Sequence, residues 1–323
     1  MKKLPKLWMN WESNRFWGEN MDFFHKPVLT QEILDFFGEK EGYLIDGTLG
    51  GGGHSKALLE KNKNIKIIGL DKDPQALKAA RENLASYHDR LYAFQADFRD
   101  MDRVVQEMGV EKVSVVLLDL GVSSHQLDSP ERGFSYHQDG PLDMRMDPTK
   151  GKTAADLINS MSVQEMKRVF KVYGEEKNAG KLAKRIDAER RLKKIKTTRE
   201  LARIVSEVSK YDPGGHPARR VFQALRIAVN EELDGLEKVL QKAIDLLLPK
   251  GRLGVITFHS LEDRIVKRAF RELAECNCPK NLPCVCGGPE LKILTRKPVS
   301  PAEGEIEKNR RARSAKLRVV EKL

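Results

Sequence analysis

The sequence contains no apolar run approaching the ~18 residues that a membrane-spanning helix needs. Its first twenty residues, MKKLPKLWMNWESNRFWGEN, lack the unbroken apolar stretch of a secretory signal. A cytoplasmic protein with no membrane segment is therefore expected. Cysteine is scarce as well: the four in 323 residues, Cys276, Cys278, Cys284 and Cys286, all fall in CNCPKNLPCVCGG. So few, so clustered, they exclude a disulfide-stapled scaffold. Two CxC elements in a loop rich in proline and glycine read as a tetrahedral thiolate site, with structural zinc the expected metal and free surface thiols the alternative. No internal repeat is present. Acids are outnumbered, 47 against 58 Lys and Arg, which gives a net charge of +11 and a pI near 9.4. That balance favours an anionic partner, of which nucleic acid is the commonest, over a merely basic soluble enzyme. The excess is also uneven. Lys177 to Arg199 holds ten Lys/Arg and only Asp187 and Glu189 as acids, a local +8.

What is abundant is glycine in one place. Residues 43–54 read YLIDGTLGGGGH: an apolar run ending in Asp46, then Gly47, Gly50, Gly51, Gly52 and Gly53, then the helix-forming SKALLEK. Strand, glycine-rich turn and helix in that order form the first unit of a nucleotide-binding α/β sheet. Glycine lets the backbone take positive φ and approach a ligand closely, and the helix N-terminus behind it carries unpaired N–H groups. A second unit follows. Ile65 to Leu70 (IKIIGL) ends in Asp71, and DKDPQAL opens a helix with Pro74 in its first turn. Asp71 lies 18 residues beyond Gly53, where an acid meets a ribose diol in sheets of this type. The pattern predicts an adenosine-type cofactor and leaves the chemistry open, since a dehydrogenase has the same spacing.

Further strands are expected over Leu91–Ala96, ending at Asp97-Phe98, and over Val113–Leu118, ending at Asp119. Asp97 and Phe98 suit an adenine, one accepting its amino group and the other stacking on its ring. The polar loop from Asp119 to Asp147 leaves the carboxyl end of a central strand and is expected over the cofactor. From Thr153 to Leu248 the pattern is helical, broken at Gly214, Gly215 and Pro217. The sheet resumes at Arg252–Phe258, and two last strands, 291–297 and 315–322, are expected to close the chain.

Several long segments together resemble the ribosomal RNA small-subunit methyltransferase H (MraW) family. They are IDGTLGGGGHS, DKDPQAL, LLDLGVSSHQLDSPERGFSYHQDGPLDMRMDP, YGEEKNAGKLAKRI, HPARRVFQALRIAVNEEL, ITFHSLEDRIVKR and NRRARSAKLRVVE, in the family's order from about His25 to the end. The resemblance implies an α/β fold, the class I (Rossmann-like) seven-stranded methyltransferase sheet with its last two strands as a closing hairpin, and with an inserted helical domain. The implied boundaries are a core over 25–127 and 231–323, and an inserted loop and helical substrate-recognition domain over 128–230. Residues 1–24 form an extension expected to be a mobile tail, or the result of an upstream start codon with Met21 as the true start. The implied activity is S-adenosylmethionine-dependent methylation of a cytidine N4 amine in the decoding region of small-subunit (16S) rRNA, within the small ribosomal subunit. The family's cofactor contacts map onto Gly52, Gly53, His54, Asp71, Phe98, Asp119 and Gln126.

Amino-methyltransferases usually carry an Asp/Asn-Pro-Pro-aromatic motif after the fourth strand, where this chain reads Asp119-Leu120-Gly121-Val122. Candidate acceptors for the target amine are therefore sought elsewhere, and Asp143 in GPLDMRMD and His259 in FHSLEDR are taken as the catalytic candidates. A loop-stabilising role is the alternative for both. The +8 segment and Arg219-Arg220 are the expected phosphate contacts. The competing reading is a non-catalytic RNA-binding ribosome assembly factor that keeps a cofactor fold.

Overall fold

A computed structural model describes residues 27–209, 215–276, 278 and 288–323. The extension over 1–24 lies outside the described residues. In chain order the elements are α1 (Thr30–Phe37), β1 (Gly42–Asp46), α2 (Gly53–Lys61), β2 (Ile65–Asp71), α3 (Pro74–Asn83), β3 (Leu91–Gln95), α4 (Met101–Glu107) and β4 (Val113–Asp119). The chain continues with α5 (Ser124–Asp128), α6 (Ala154–Ser160), α7 (Val163–Val172), α8 (Ala179–Leu192), α9 (Thr198–Val208), α10 (Arg219–Asn230) and α11 (Leu236–Leu246). It ends with β5 (Leu247–Thr257), α12 (Ser260–Ala274), β6 (Leu291–Ile293), α13 (Glu303–Lys308) and β7 (Lys316–Lys322).

The strands form one seven-stranded sheet in the order β3-β2-β1-β4-β5-β7-β6. The first five are mutually parallel, whereas β7 runs antiparallel to both β5 and β6. This is the class I methyltransferase sheet. Its strands are continuous apolar runs because helices cover both faces, and alternate residues go to opposite sides. Leu44, Val115 and Leu117 join Ile33, Phe37 and Leu58 on the α1–α2 face. Ile45, Val116 and Leu118 join Val104, Leu240 and Val266 on the α4–α11–α12 face.

A separate core runs from Phe134 to Leu225. Three of its helices, α6, α7 and α9, begin at reciprocal capping boxes, Thr153 with Asp156, Ser162 with Glu165 and Thr197 with Glu200, each satisfying backbone donors the first turn would leave open. The helical pattern from Ala218 to Leu248 divides into two. Glu231 takes φ 52 and Gly235 φ 73, which ends α10 and starts α11 in a new direction. Among the described residues no helix is long and apolar enough to cross a membrane.

The two closing strands pair antiparallel, as the expected hairpin does, but the first is shorter than expected. Residues 294–315, including α13, separate β6 from β7, and β6 is only three residues long. Leu294 and Thr295 both donate to the Val319 carbonyl, at 3.0 and 3.3 Å, so two residues oppose one and regular pairing stops. β5 also starts earlier than expected. Leu247 already pairs with Val113, and the Pro249–Gly251 kink is taken up by a register shift and by Lys250 at φ 63.

Candidate active site

Because β1, β2 and β4 are parallel, their carboxyl ends meet at one edge, where a cleft of about 770 Å³ opens. The glycine loop forms one wall. Asp46, at the end of β1, is buried and accepts from Ser55 Oγ at 2.6 Å, which ties the first turn of α2 to the strand. Burial pushes the Asp46 carboxyl up, against the opposing pull of Ser55 and His54. Gly52 has φ 82, and a Cβ there would lie 2.6 Å from Leu84 Cδ1. At Gly53 a Cβ would press on the Pro27 ring at 3.1–3.2 Å. Only glycine leaves the backbone bare at this wall.

Asp71 ends β2 and pins the loop. Its Oδ2 accepts from the Gly50 N–H at 2.8 Å and its Oδ1 from the Asp73 N–H at 2.8 Å. Each oxygen keeps a lone pair for a further donor, the arrangement a vicinal diol needs. Burial pushes this carboxyl up to about 6, with the two backbone bonds pulling the other way and Asp73 and Asp46 adding to the rise. Asp119, at the end of β4, is likewise raised to about 6 by burial, with His54 opposing and Asp46 and Glu262 adding. Its Oδ1 is buried and has no hydrogen-bond partner among the described residues. His54 Nε2 lies 2.7 Å from the Val28 carbonyl. A carbonyl only accepts, so Nε2 carries the proton and Nδ1 faces Asp119 Oδ2 at 3.8 Å.

Phe98 lines the same cleft, with the Lys72 ammonium 5.9 Å from its ring centre. Asp97 does not share its role. It is absent from the cleft wall, and its carboxylate is taken by Lys72 at 2.8 Å and Arg99 at 2.7 Å. Burial alone would raise that carboxyl, but the two cations hold it below its usual range. Gln126 lines the cleft with both amide atoms engaged. Oε1 accepts from the Ser123 N–H at 3.1 Å, and Nε2 donates to Asp73 Oδ2 at 3.0 Å. The opposite wall comes from the helical unit and its loop, through Phe134, Tyr136, Arg219, Phe222 and Gln223. Tyr136 stacks on His216 at 4.8 Å and meets Phe222 edge-on at 5.6 Å.

The model of the MraW methylase family matches residues 22–323. The chain belongs to that family. A ribosomal RNA small subunit methyltransferase H from Carboxydothermus hydrogenoformans is 51% identical over 309 residues, covering 94% of this chain and 99% of that protein. Proteins of the same name from Geobacter sulfurreducens and Heliobacterium modesticaldum are 49% and 48% identical, each over 94% of this chain and 100% of their own length.

All seven residues implied as cofactor contacts by the MraW resemblance, Gly52, Gly53, His54, Asp71, Phe98, Asp119 and Gln126, line this single cleft. The two catalytic candidates separate. Asp143 is not on the cleft wall, and both its oxygens are held by Arg145, from Nε at 2.8 Å and from Nη2 at 2.8 Å. It lies in the loop that carries Arg132 and also accepts from the Arg145 N–H at 3.1 Å. His259 does line the cleft, but as the N-cap of α12, where Nδ1 accepts from the Glu262 N–H at 3.4 Å. In the neutral ring Nε2 then bears the proton; it is buried 3.1 Å from Glu262 Oε1 but makes no hydrogen bond among the described residues, so His259 presents a donor where an acceptor was expected. Burial alone would raise the Glu262 carboxyl, but His259 and Arg226 outweigh it and hold it low.

The residue the sequence reading missed is Asp73. Fully buried, it caps α3 and accepts from Gln126 at 3.0 Å and from Arg132 Nη1 at 2.6 Å. Arg132, buried too, also donates to the Arg145 and Met146 carbonyls, both at 3.0 Å. One ion pair thus fastens the long loop after β4 to the cofactor half. The -Asp73-Pro74- cap was legible in DKDPQAL, but its partner 59 residues away was not. The +8 segment does not reach the cleft wall. Of the proposed thiolate ligands, Cys276 is exposed and Cys278 half-buried, and Cys284 and Cys286 lie outside the described residues.

Proposed function

We propose that this protein methylates the exocyclic N4 amine of a cytidine in small-subunit ribosomal RNA, with S-adenosylmethionine as donor. The observation that carries the reading is the two-walled cleft. One wall is a glycine cradle with a diol-accepting carboxylate, and the other is an aromatic face from a helical unit. The residues fit the donor. Asp71 keeps lone pairs for two ribose hydroxyls, Phe98 offers a ring face to an adenine, and the unpartnered Asp119 Oδ1 lacks only an N–H donor. When bound, S-adenosylmethionine supplies an already activated methyl group on a sulfonium. The chain's task is therefore alignment and exclusion of water more than activation. The Gly52–His54 turn holds the backbone N–H groups of α2 against the methionine portion. Tyr136, backed by Phe222 and His216, provides a surface on which a base removed from its stack can lie. The relatives named ribosomal RNA small subunit methyltransferase H support the RNA substrate.

Incubating the protein with labelled S-adenosylmethionine and small subunits lacking the modification, followed by digestion to nucleosides, tests this. Label is expected in N4-methylcytidine. Label in another nucleoside would refute the acceptor assignment, and cofactor binding without any transfer would favour the assembly-factor reading.

A further inference from the structure

The basic segment expected to meet RNA is not the one best placed to do so. Between Lys177 and Arg199, five of the ten cations already pair with carboxylates of the same unit. Arg185 meets Glu189 and Glu207, Arg190 and Arg191 share Asp187, Lys193 meets Glu200, and Arg199 meets Asp139. Half of the segment's cations are thus neutralised within the helical unit, and none of the segment lines the cleft.

A second basic run stands at the cleft itself. Residues 308–316 read KNRRARSAK, five cations with no acid. Topology explains the placement. β7 is antiparallel to β5, with Lys316 opposite Thr257, so the chain entering β7 comes from the carboxyl edge of the parallel strands, where the cofactor cleft lies. There a 3₁₀ turn over Arg310–Ser314 is anchored by Ala312 and Ala315, both buried in the α1–α2 core. With the alanines inward, Lys308, Arg310, Arg311, Arg313 and Ser314 are exposed, and Arg311 and Ser314 line the cleft. Arg311 grips Asp128 with both guanidinium nitrogens, fixing the segment to α5 across the rim. Lys308, Arg310 and Arg313 make no ion pair among the described residues. From the facing wall Arg219 also reaches the cleft and is exposed.

We infer that Lys308, Arg310 and Arg313 form a phosphate-binding rim that carries the RNA backbone past the mouth of the cleft. The inference deepens, and rests on, the RNA-methylation reading above. Guanidinium groups suit phosphate because they donate in a planar fork and stay charged at any working pH. Such contacts are independent of sequence. They give affinity and salt dependence, while selection of the base is left to the aromatic wall.

The test compares two charge-matched variants, Arg310→Gln/Arg313→Gln on the rim and Lys181→Gln/Lys184→Gln on exposed α8. Binding of protein-free small-subunit rRNA, and of an unrelated RNA of equal length, is measured across a salt series. Titration with S-adenosylhomocysteine checks that the cleft is intact. The rim variant is expected to weaken both RNAs alike and to lower the slope of log affinity against log salt by about 1 per side chain, about 2 for the pair. The α8 variant is expected to keep the wild-type slope. A rim variant with the wild-type slope, while the wild-type protein still methylates RNA, overturns the rim and leaves the methylation reading standing. The same holds if only the α8 variant loses slope. Wild-type protein that binds RNA through the rim but transfers no methyl group keeps the inference and removes the reading. Wild-type protein that binds neither RNA removes both.

Discussion

Asp71 makes the sharpest claim about the cofactor, and the substitution Asp71→Asn tests it. The carboxylate accepts from Gly50 and Asp73 at 2.8 Å each and is proposed to accept from two ribose hydroxyls as well. An amide of the same shape keeps one acceptor oxygen and turns the other into a donor, which then faces a backbone N–H or a hydroxyl. A hydrogen bond to a charged group contributes about 1.5–3 kcal/mol, so affinity for S-adenosylhomocysteine should fall about ten- to hundredfold. The pH profile is the stricter test. The free protein's carboxyl sits at about 6, but it must be ionised to accept both hydroxyls. Below that value binding displaces a proton, so affinity rises about tenfold per pH unit up to 6 and then levels off. Asp119, also raised to about 6, can contribute a second unit of slope. Calorimetric titration of wild type from pH 5 to 8 should show the rise and the plateau, and Asp71→Asn should lose one unit of slope. A wild-type profile flat across this range, or a variant that keeps both slope and affinity, refutes the reasoning. For folding the sign is opposite. Both carboxyls are raised in the native state, which therefore holds more protons than the unfolded chain between about pH 4 and 6. Stability falls as pH rises through that window, by about 3 kcal/mol per carboxyl, and is lowest above it.

Two other substitutions separate structure from chemistry. Arg132→Ala leaves Asp73 buried beside Gln126 without its cation and two loop carbonyls without their donor. It should lower unfolding stability by about 3–5 kcal/mol in denaturant melts, and a loss below about 1 kcal/mol would show that the pair does not fasten the loop. Asp143→Asn, away from the cleft and bound to Arg145, should leave the single-turnover methylation rate within about twofold, equivalent to less than ~0.5 kcal/mol on the barrier. A tenfold drop with cofactor affinity unchanged would return Asp143 to the chemistry.

The parallel part of the sheet was legible because each of its strands is a short apolar run closed by a turn or an acid at the carboxyl end, as in YLID, IIGLD and VVLLD. Those acids, Asp46, Asp71 and Asp119, also mark the ligand edge, so fold and cofactor wall came from the same residues. The closing hairpin was less legible, since the bulge at Leu294-Thr295 depends on a single carbonyl of a strand more than twenty residues away. The division of α10 from α11 was legible as the 230/231 domain boundary, but the turn that makes it was not. Glu231 takes a left-handed conformation that its residue type does not announce, and the apolar spacing runs on past it.

Three residues singled out in the sequence share one local feature. Asp97, Asp143 and His259 were chosen as polar groups at suggestive places in the chain, and each faces an ionisable partner two or three residues away. Arg99 lies two residues from Asp97, Arg145 two from Asp143, and Glu262 three from His259. Local pairing of this kind is cheap in chain entropy, because both partners are ordered by the same turn. A polar residue in a loop should therefore be tested first against neighbours two to four positions away, and only afterwards credited with a ligand. Asp119 survives that test. Nothing near it in the chain supplies a donor to Oδ1, and the residue that faces its other oxygen, His54, is held by the Val28 carbonyl. The same logic separates the two basic segments. In α8 and its flanks five of ten cations meet acids within the helical unit, whereas KNRRARSAK holds no acid, and among the described residues acids from elsewhere pair with Arg311 and Lys316 but not with Lys308, Arg310 or Arg313. Charge that a segment cannot neutralise by itself is the charge left for a partner, and the antiparallel entry of β7 sets it beside the cleft.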